Sequence, residues 1–216
     1  MILRTHSTLM LGFAACTCFA QAPSDFRKAQ WGMSKAQVLA TEAARPSEVR
    51  ETAAELVMRY DALKLGGLDA SAIFIFVQDK LARAKYLIEA EHENLNDFIA
   101  DYHALEPILK SAFHQPTSQK AVWLDDSLQE ERKSYLDQDR ALPENILPSD
   151  RNVGLGVSLG HLKLYTEWGD GRTKATHALT GADGVITHQI EYRSVELSAL
   201  EDEIRNHAAG HFGTTP

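Results

Sequence analysis

The chain has 216 residues, of which 44% are hydrophobic and 24% charged, and its formal net charge is −8. That length supplies a core for one domain or for two small fused units. An acidic chain with no basic run is a poor match for nucleic acid or an anionic membrane surface, so neither is an expected partner.

Residues 1–20 read as a secretory signal, with Arg4 as the positive start and Leu9 to Phe19 as a short apolar run. Cys18-Phe19-Ala20 places small residues at −3 and −1, which predicts cleavage before Gln21 and a periplasmic or secreted chain. The alternative takes Phe13-Ala14-Ala15-Cys16 as a lipidation signal with Cys16 acylated, although Phe stands where Leu is usual. The apolar run is too short to span a bilayer, and no later run is longer. Cys16 and Cys18 are the two cysteines of the chain. Cleavage after Ala20 would remove both, and with them disulfides, thiolate nucleophiles and Cys-ligated zinc.

Residues 21–90 form a first predicted unit. Ser34-x-x-Gln37 is a capping box, flanked by Met33 and Val38 at the two positions of a hydrophobic staple. Gly32 permits a sharp turn, and Trp31 offers an apolar plate with one N–H to satisfy. Trp31, Gly32, Met33, Ser34, Gln37 and Val38 therefore read as structural residues that start a helix, which Pro46 stops. Strands follow at Glu55 to Leu65, Asp69 to Val77 and Leu81 to Glu89, turning at Gly66-Gly67 and Gln78-Asp79-Lys80. The middle strand is apolar on both faces, as a central strand requires.

Residues 91–216 repeat the order. From Asn94 as N-cap, Leu95, Phe98, Ile99, Tyr102, Leu105, Leu109 and Phe113 recur at helical spacing, with a kink expected at Pro107. Residues 116–160 are a polar excursion, and a stretch this long is functional or mobile more often than not. Strands are then predicted at His161 to Trp168, Thr173 to Thr180 and Val185 to Arg193, with a four-residue turn Gly181 to Gly184. A final helix starts at a second capping box, Ser198-x-x-Glu201. The predicted fold class is α+β: two consecutive helix-plus-three-stranded antiparallel meander units, with the helices on one face of the sheet.

The Trp-Gly-Met-Ser start resembles that of small exported bacterial proteins of mostly unknown function. So do "LVMRYDALKLGGLDASAIFIFVQDKL" and "EWGDGRTKATHALTGADGVITHQIEYRS". In architecture the units are similar to β-lactamase-inhibitory protein and to the small lipoprotein of the outer-membrane barrel-assembly machine. His114-Gln115-Pro116 departs from the small residue that such a pattern has after its second helix. The resemblance implies a fold and a protein-binding role, and brings no catalytic residues.

Candidate chemistry is sparse. There is no Gly-x-Ser-x-Gly and no Ser-x-x-Lys with its partner motifs. Asp125, Asp126, Glu130, Glu131, Asp137 and Asp139 lack the glycine-punctuated spacing of a calcium loop and read as a solvated face. Glu91-His92-Glu93 reads as a solvated corner. His207 and His211 lie one helical turn apart with no intervening Glu, so they are not a zinc-protease pair and suit a helix C-terminus. His177 and His188 are the weak metal candidates: an even register across Gly181 to Gly184 sets them directly opposite on one inward face. Two ligands are fewer than zinc takes, so no cofactor is expected. The expectation is an exported, non-catalytic protein-binding or envelope-assembly protein. Its partner surface would lie at the apolar strand Ala72 to Phe76 or within residues 116–160. The alternative is a histidine-based metal-binding protein or metal-dependent hydrolase.

Overall fold

The computed structural model describes residues 24–128 and 152–210, the last three by backbone alone. The signal-like segment with Cys16 and Cys18, residues 129–151 and His211 lie outside the described residues. In chain order the elements are α1 (Lys35–Thr41), β1 (Glu48–Glu51), β2 (Leu56–Leu65), β3 (Leu68–Val77), β4 (Lys80–Ile88) and α2 (Asp97–Phe113). They continue with β5 (Ser118–Trp123), α3 (Val153–Ser158), β6 (Leu162–Gly169), β7 (Thr173–Ala182), β8 (Val185–Ser194) and α4 (Ser198–Gly210). The protein is α+β. Its strands form one antiparallel sheet of eight, ordered β1-β2-β3-β4-β8-β7-β6-β5.

Each half of the sheet holds four strands rather than the three expected. The unforeseen strands are the two edges. β1 reads Glu-Val-Arg-Glu and is exposed throughout, while β5 lies inside the stretch read as a polar excursion. β1 carries charge in place of apolar alternation, and β5 sets only Ala121 and Trp123 against the core, too short a pattern for a periodicity reading. The same stretch also holds α3, whose Val153 and Val157 pack with Tyr102, Leu162 and Leu179.

Three hairpins close through two residues that both have positive φ: Gly66-Gly67, Gln78-Asp79 and Asp183-Gly184. This backbone matches the right-handed twist of the strands it joins. The last turn is thus two residues shorter than expected, because Gly181 and Ala182 stay in β7, paired with Ile186 and Val185. Gly181 admits no side chain, since a Cβ would stand 2.2 Å from the Val157 carbonyl oxygen.

The core lies on the inward face, where Met58, Tyr60, Phe74, Phe76, Leu81 and Trp168 are buried together with Leu105 and Leu109 of α2. β3 is buried on its other side as well. Ser71, Ile73, Ile75 and Val77 have little exposure, and α4 contacts β3. Helices therefore lie on both faces of the sheet, not on one. The apolar strand Ala72 to Phe76 is enclosed and offers no partner surface.

Helix ends differ from expectation in instructive ways. α1 stops at Thr41, well before Pro46, because Glu42 turns out into an extended conformation and pairs bidentately with Arg27 at 2.9 and 2.9 Å. α2 begins after Asn96 rather than Asn94 and runs without a break past Pro107 to Phe113. His114 follows it at φ +66 and ψ −103, standing where a small residue was expected. The Ser198-Glu201 capping box does not form. Ser198 Oγ donates to the Val195 carbonyl, and the Glu201 carboxylate turns to arginines on the sheet.

Candidate functional site

The opening segment is a joint. Ser34 Oγ accepts from the Gln37 amide at 3.3 Å, and the Gln37 side chain accepts from the Ser34 amide at 2.8 Å, a complete capping box. Trp31 is half-buried rather than sealed under α1, and its indole N–H donates to Thr173 Oγ1 of β7 at 2.8 Å. Its backbone N–H donates to Asp25. The residues before α1 are thereby tied to the far half of the sheet.

His177 and His188 both face inward and are fully buried, at 0% and 2% exposure. They are not directly opposite. The two-residue turn pairs His177 with Ile190 and His188 with Leu179, so the imidazoles meet on the diagonal. Their Nε2 atoms are 2.7 Å apart and their ring planes 19° from parallel. Tyr102 of α2 stacks on His177 at 3.9 Å between centroids. The Tyr102 hydroxyl donates to the His177 carbonyl at 3.3 Å and shares a 2.8 Å hydrogen bond with Thr166.

Burial lowers the pKa of both imidazoles, and for His177 the neighbouring His188 lowers it further. Both rings are therefore neutral, one Nε2–H donating to the other Nε2. Neither Nδ1 has a hydrogen-bond partner among the described residues. Two convergent nitrogens could supply half of a zinc site. The described residues bring no third ligand, as they hold no group of three His, Cys, Asp or Glu suited to a metal ion. Sequence reasoning placed the two histidines on one face but missed Tyr102, whose helical spacing marked it only as core.

The outward face differs between the halves. Over β3 it is covered by α4, held by one buried carboxylate. Glu201 is 3% exposed and pairs with Arg83, Arg193 and Arg205 at 2.9, 2.9 and 2.8 Å. α4 reaches as far as Arg193 of β8, and beyond it lie the outward residues of β5 to β7. The register lays one row straight across that region: Lys120, Tyr165, Ala178, Gln189 and Leu87. Beside this row Thr180 faces Thr187, and Lys163 faces Val122, which is 38% exposed. Small residues at the centre leave a shallow depression lined by Tyr165, Ala178, Thr180, Thr187 and Lys163. Lys120, Lys163 and Lys174 stand on this face and make no ion pair among the described residues, and the exposed Glu167 stands among them, opposite Ser118 and Thr176.

The remaining candidates are dispersed. His92 is half-buried rather than solvated, with its Nε2 2.6 Å from Asp101 and its ring edge-on to Phe98. His207 is exposed beside Glu203 at 4.0 Å. Asp125 Oδ1 accepts from the Ser127 amide, and Glu130, Glu131, Asp137 and Asp139 lie outside the described residues. Among the described residues no helix is long and apolar enough to cross a membrane. No protein-family model, curated protein or solved structure matches this chain.

Proposed function

We propose that this is an exported, non-catalytic binding or assembly protein whose partner is another protein of the cell envelope. The observation that carries the reading is the outward face of β5 to β8. It carries a shallow depression near the β7–β8 hairpin, with Lys163 in its lining and Lys120 paired across from Tyr165. The depression combines tyrosine, alanine and threonine side chains with a lysine, a mixture that suits a non-obligate interface. The lysines select an acidic partner, and the depression takes one protruding side chain. Export, with cleavage before Gln21, belongs to this reading. So does the resemblance in architecture to β-lactamase-inhibitory protein and to the small barrel-assembly lipoprotein.

The test is capture from envelope extract with wild-type protein, with Thr180→Trp, which fills the depression, and with Arg50→Glu on the distant edge strand. A partner retained by wild type and Arg50→Glu but lost with Thr180→Trp supports the reading. Equal capture by all of them refutes this surface.

The metal-binding alternative rests on the converging Nε2 atoms of His177 and His188. Protein purified without an affinity tag decides it. Stoichiometric metal that disappears in the His177→Gln, His188→Gln double variant would establish that reading in place of the first.

A further inference from the structure

Between α2, the opening segment and the sheet lies a cleft of about 380 Å³, within the range that small-molecule pockets occupy. Its floor is the seam of β4 and β8 at the middle of the sheet. There Tyr86 and Tyr192 stand side by side with ring centroids 6.2 Å apart. Phe26 and Phe113 wall it, their rings 5.2 and 6.3 Å from that of Tyr192. Helix-covered sheet centres are normally filled to crystal-like density. Here Phe26 of the opening segment packs on both rings, 4.8 and 5.2 Å between centroids, and the cleft opens beside it towards Ala112 and Phe113 of α2.

The rim carries two guanidinium groups, and both are already neutralised. Arg27 pairs bidentately with Glu42, and Arg172 with Asp25 at 3.0 and 2.8 Å. Asp170 also lines the cleft, its Oδ1 accepting from the Arg172 and Thr173 amides. An anion would therefore meet carboxylates and a cation would compete with Arg172 for them, whereas an uncharged ligand leaves the pairs intact. An aromatic floor beneath a polar rim suits a flat apolar body with a polar end.

We propose that this cleft binds a small, uncharged, ring-bearing amphipathic molecule, at a site separate from the outward sheet face and independent of any protein partner. N-phenyl-1-naphthylamine, an uncharged aromatic probe that brightens in apolar surroundings, tests this in the full protein. The expected result is saturable one-to-one binding that weakens about tenfold or more in Ala112→Phe, which pushes a ring into the cleft from an exposed position of α2. Leu124→Ser removes an apolar side chain that is 63% exposed and lies outside the cleft lining, and it should bind as wild type does. Emission that never saturates, or that falls in Leu124→Ser and persists in Ala112→Phe, overturns the proposal. Should Ala112→Phe fail to fold, the wild-type tyrosine ring resonances decide. Those of Tyr86 and Tyr192 move on titration if the proposal holds, and unmoved resonances overturn it.

Discussion

The buried histidine pair makes a clear demand on pH. In the unfolded chain each imidazole takes up a proton below its ordinary pKa of about 6.5, whereas burial keeps it neutral in the fold. The contribution to stability is complete above that value and is lost as pH falls towards the lowered folded-state pKa. Each imidazole accounts for at most about 1.4 kcal/mol per pH unit in that window. Melting temperatures measured from pH 7.5 down to 4.5 should therefore fall steeply. A His177→Leu, His188→Leu double variant should flatten the profile, and an unchanged slope would remove the pair from the account. At the other end of the chain, Ser34→Ala should cost about 1 kcal/mol in chemical denaturation, the usual worth of an N-cap. Trp31→Ala should cost about 2 kcal/mol, through lost half-burial and an orphaned Thr173. Ser-x-x-Gln is a local signal, so the capping box could be read directly. The histidine contact depends on turn length, which glycine alone does not settle. A glycine at position 181 serves a close approach to α3 as readily as it serves a turn.

At the scale of elements, α4 is the least self-sufficient piece. Its sequence is polar, and Glu201 anchors it to Arg83 and Arg193 of the sheet. Because those arginines are partly solvated, Glu201→Ala should cost only about 1–3 kcal/mol. Its signature would be local: hydrogen exchange should speed in α4 and in β3 beneath it, while β6 and β7 stay protected. Uniform loss of protection would show that α4 is not a separable cover. The central strands were legible because alternation and paired turn residues point the same way. The edges β1 and β5 were not, since they bury little. Glu201 was misread because Ser-x-x-Glu fits a capping box locally, whereas three arginines compete for the carboxylate in the fold.

At the scale of the molecule, the antiparallel sheet leaves its two outward halves unequal. On one, α4 covers β3, and the other presents a depression with Lys163 in its lining. The sequence drew attention to the apolar strand Ala72 to Phe76 as a partner surface, but sequence pattern cannot tell an interface from a core buried twice. The polar residues of β5 to β8 gave no comparable signal, since a docking face is about as polar as the rest of a protein surface. Site-specific photo-crosslinking in intact envelope tests the central claim most directly. With the crosslinking residue at Thr180, on the depression, the account predicts a discrete covalent adduct with one acidic protein. With it at Ala36, on the exposed side of α1, it predicts none. An adduct formed from Ala36 and absent from Thr180 would contradict it.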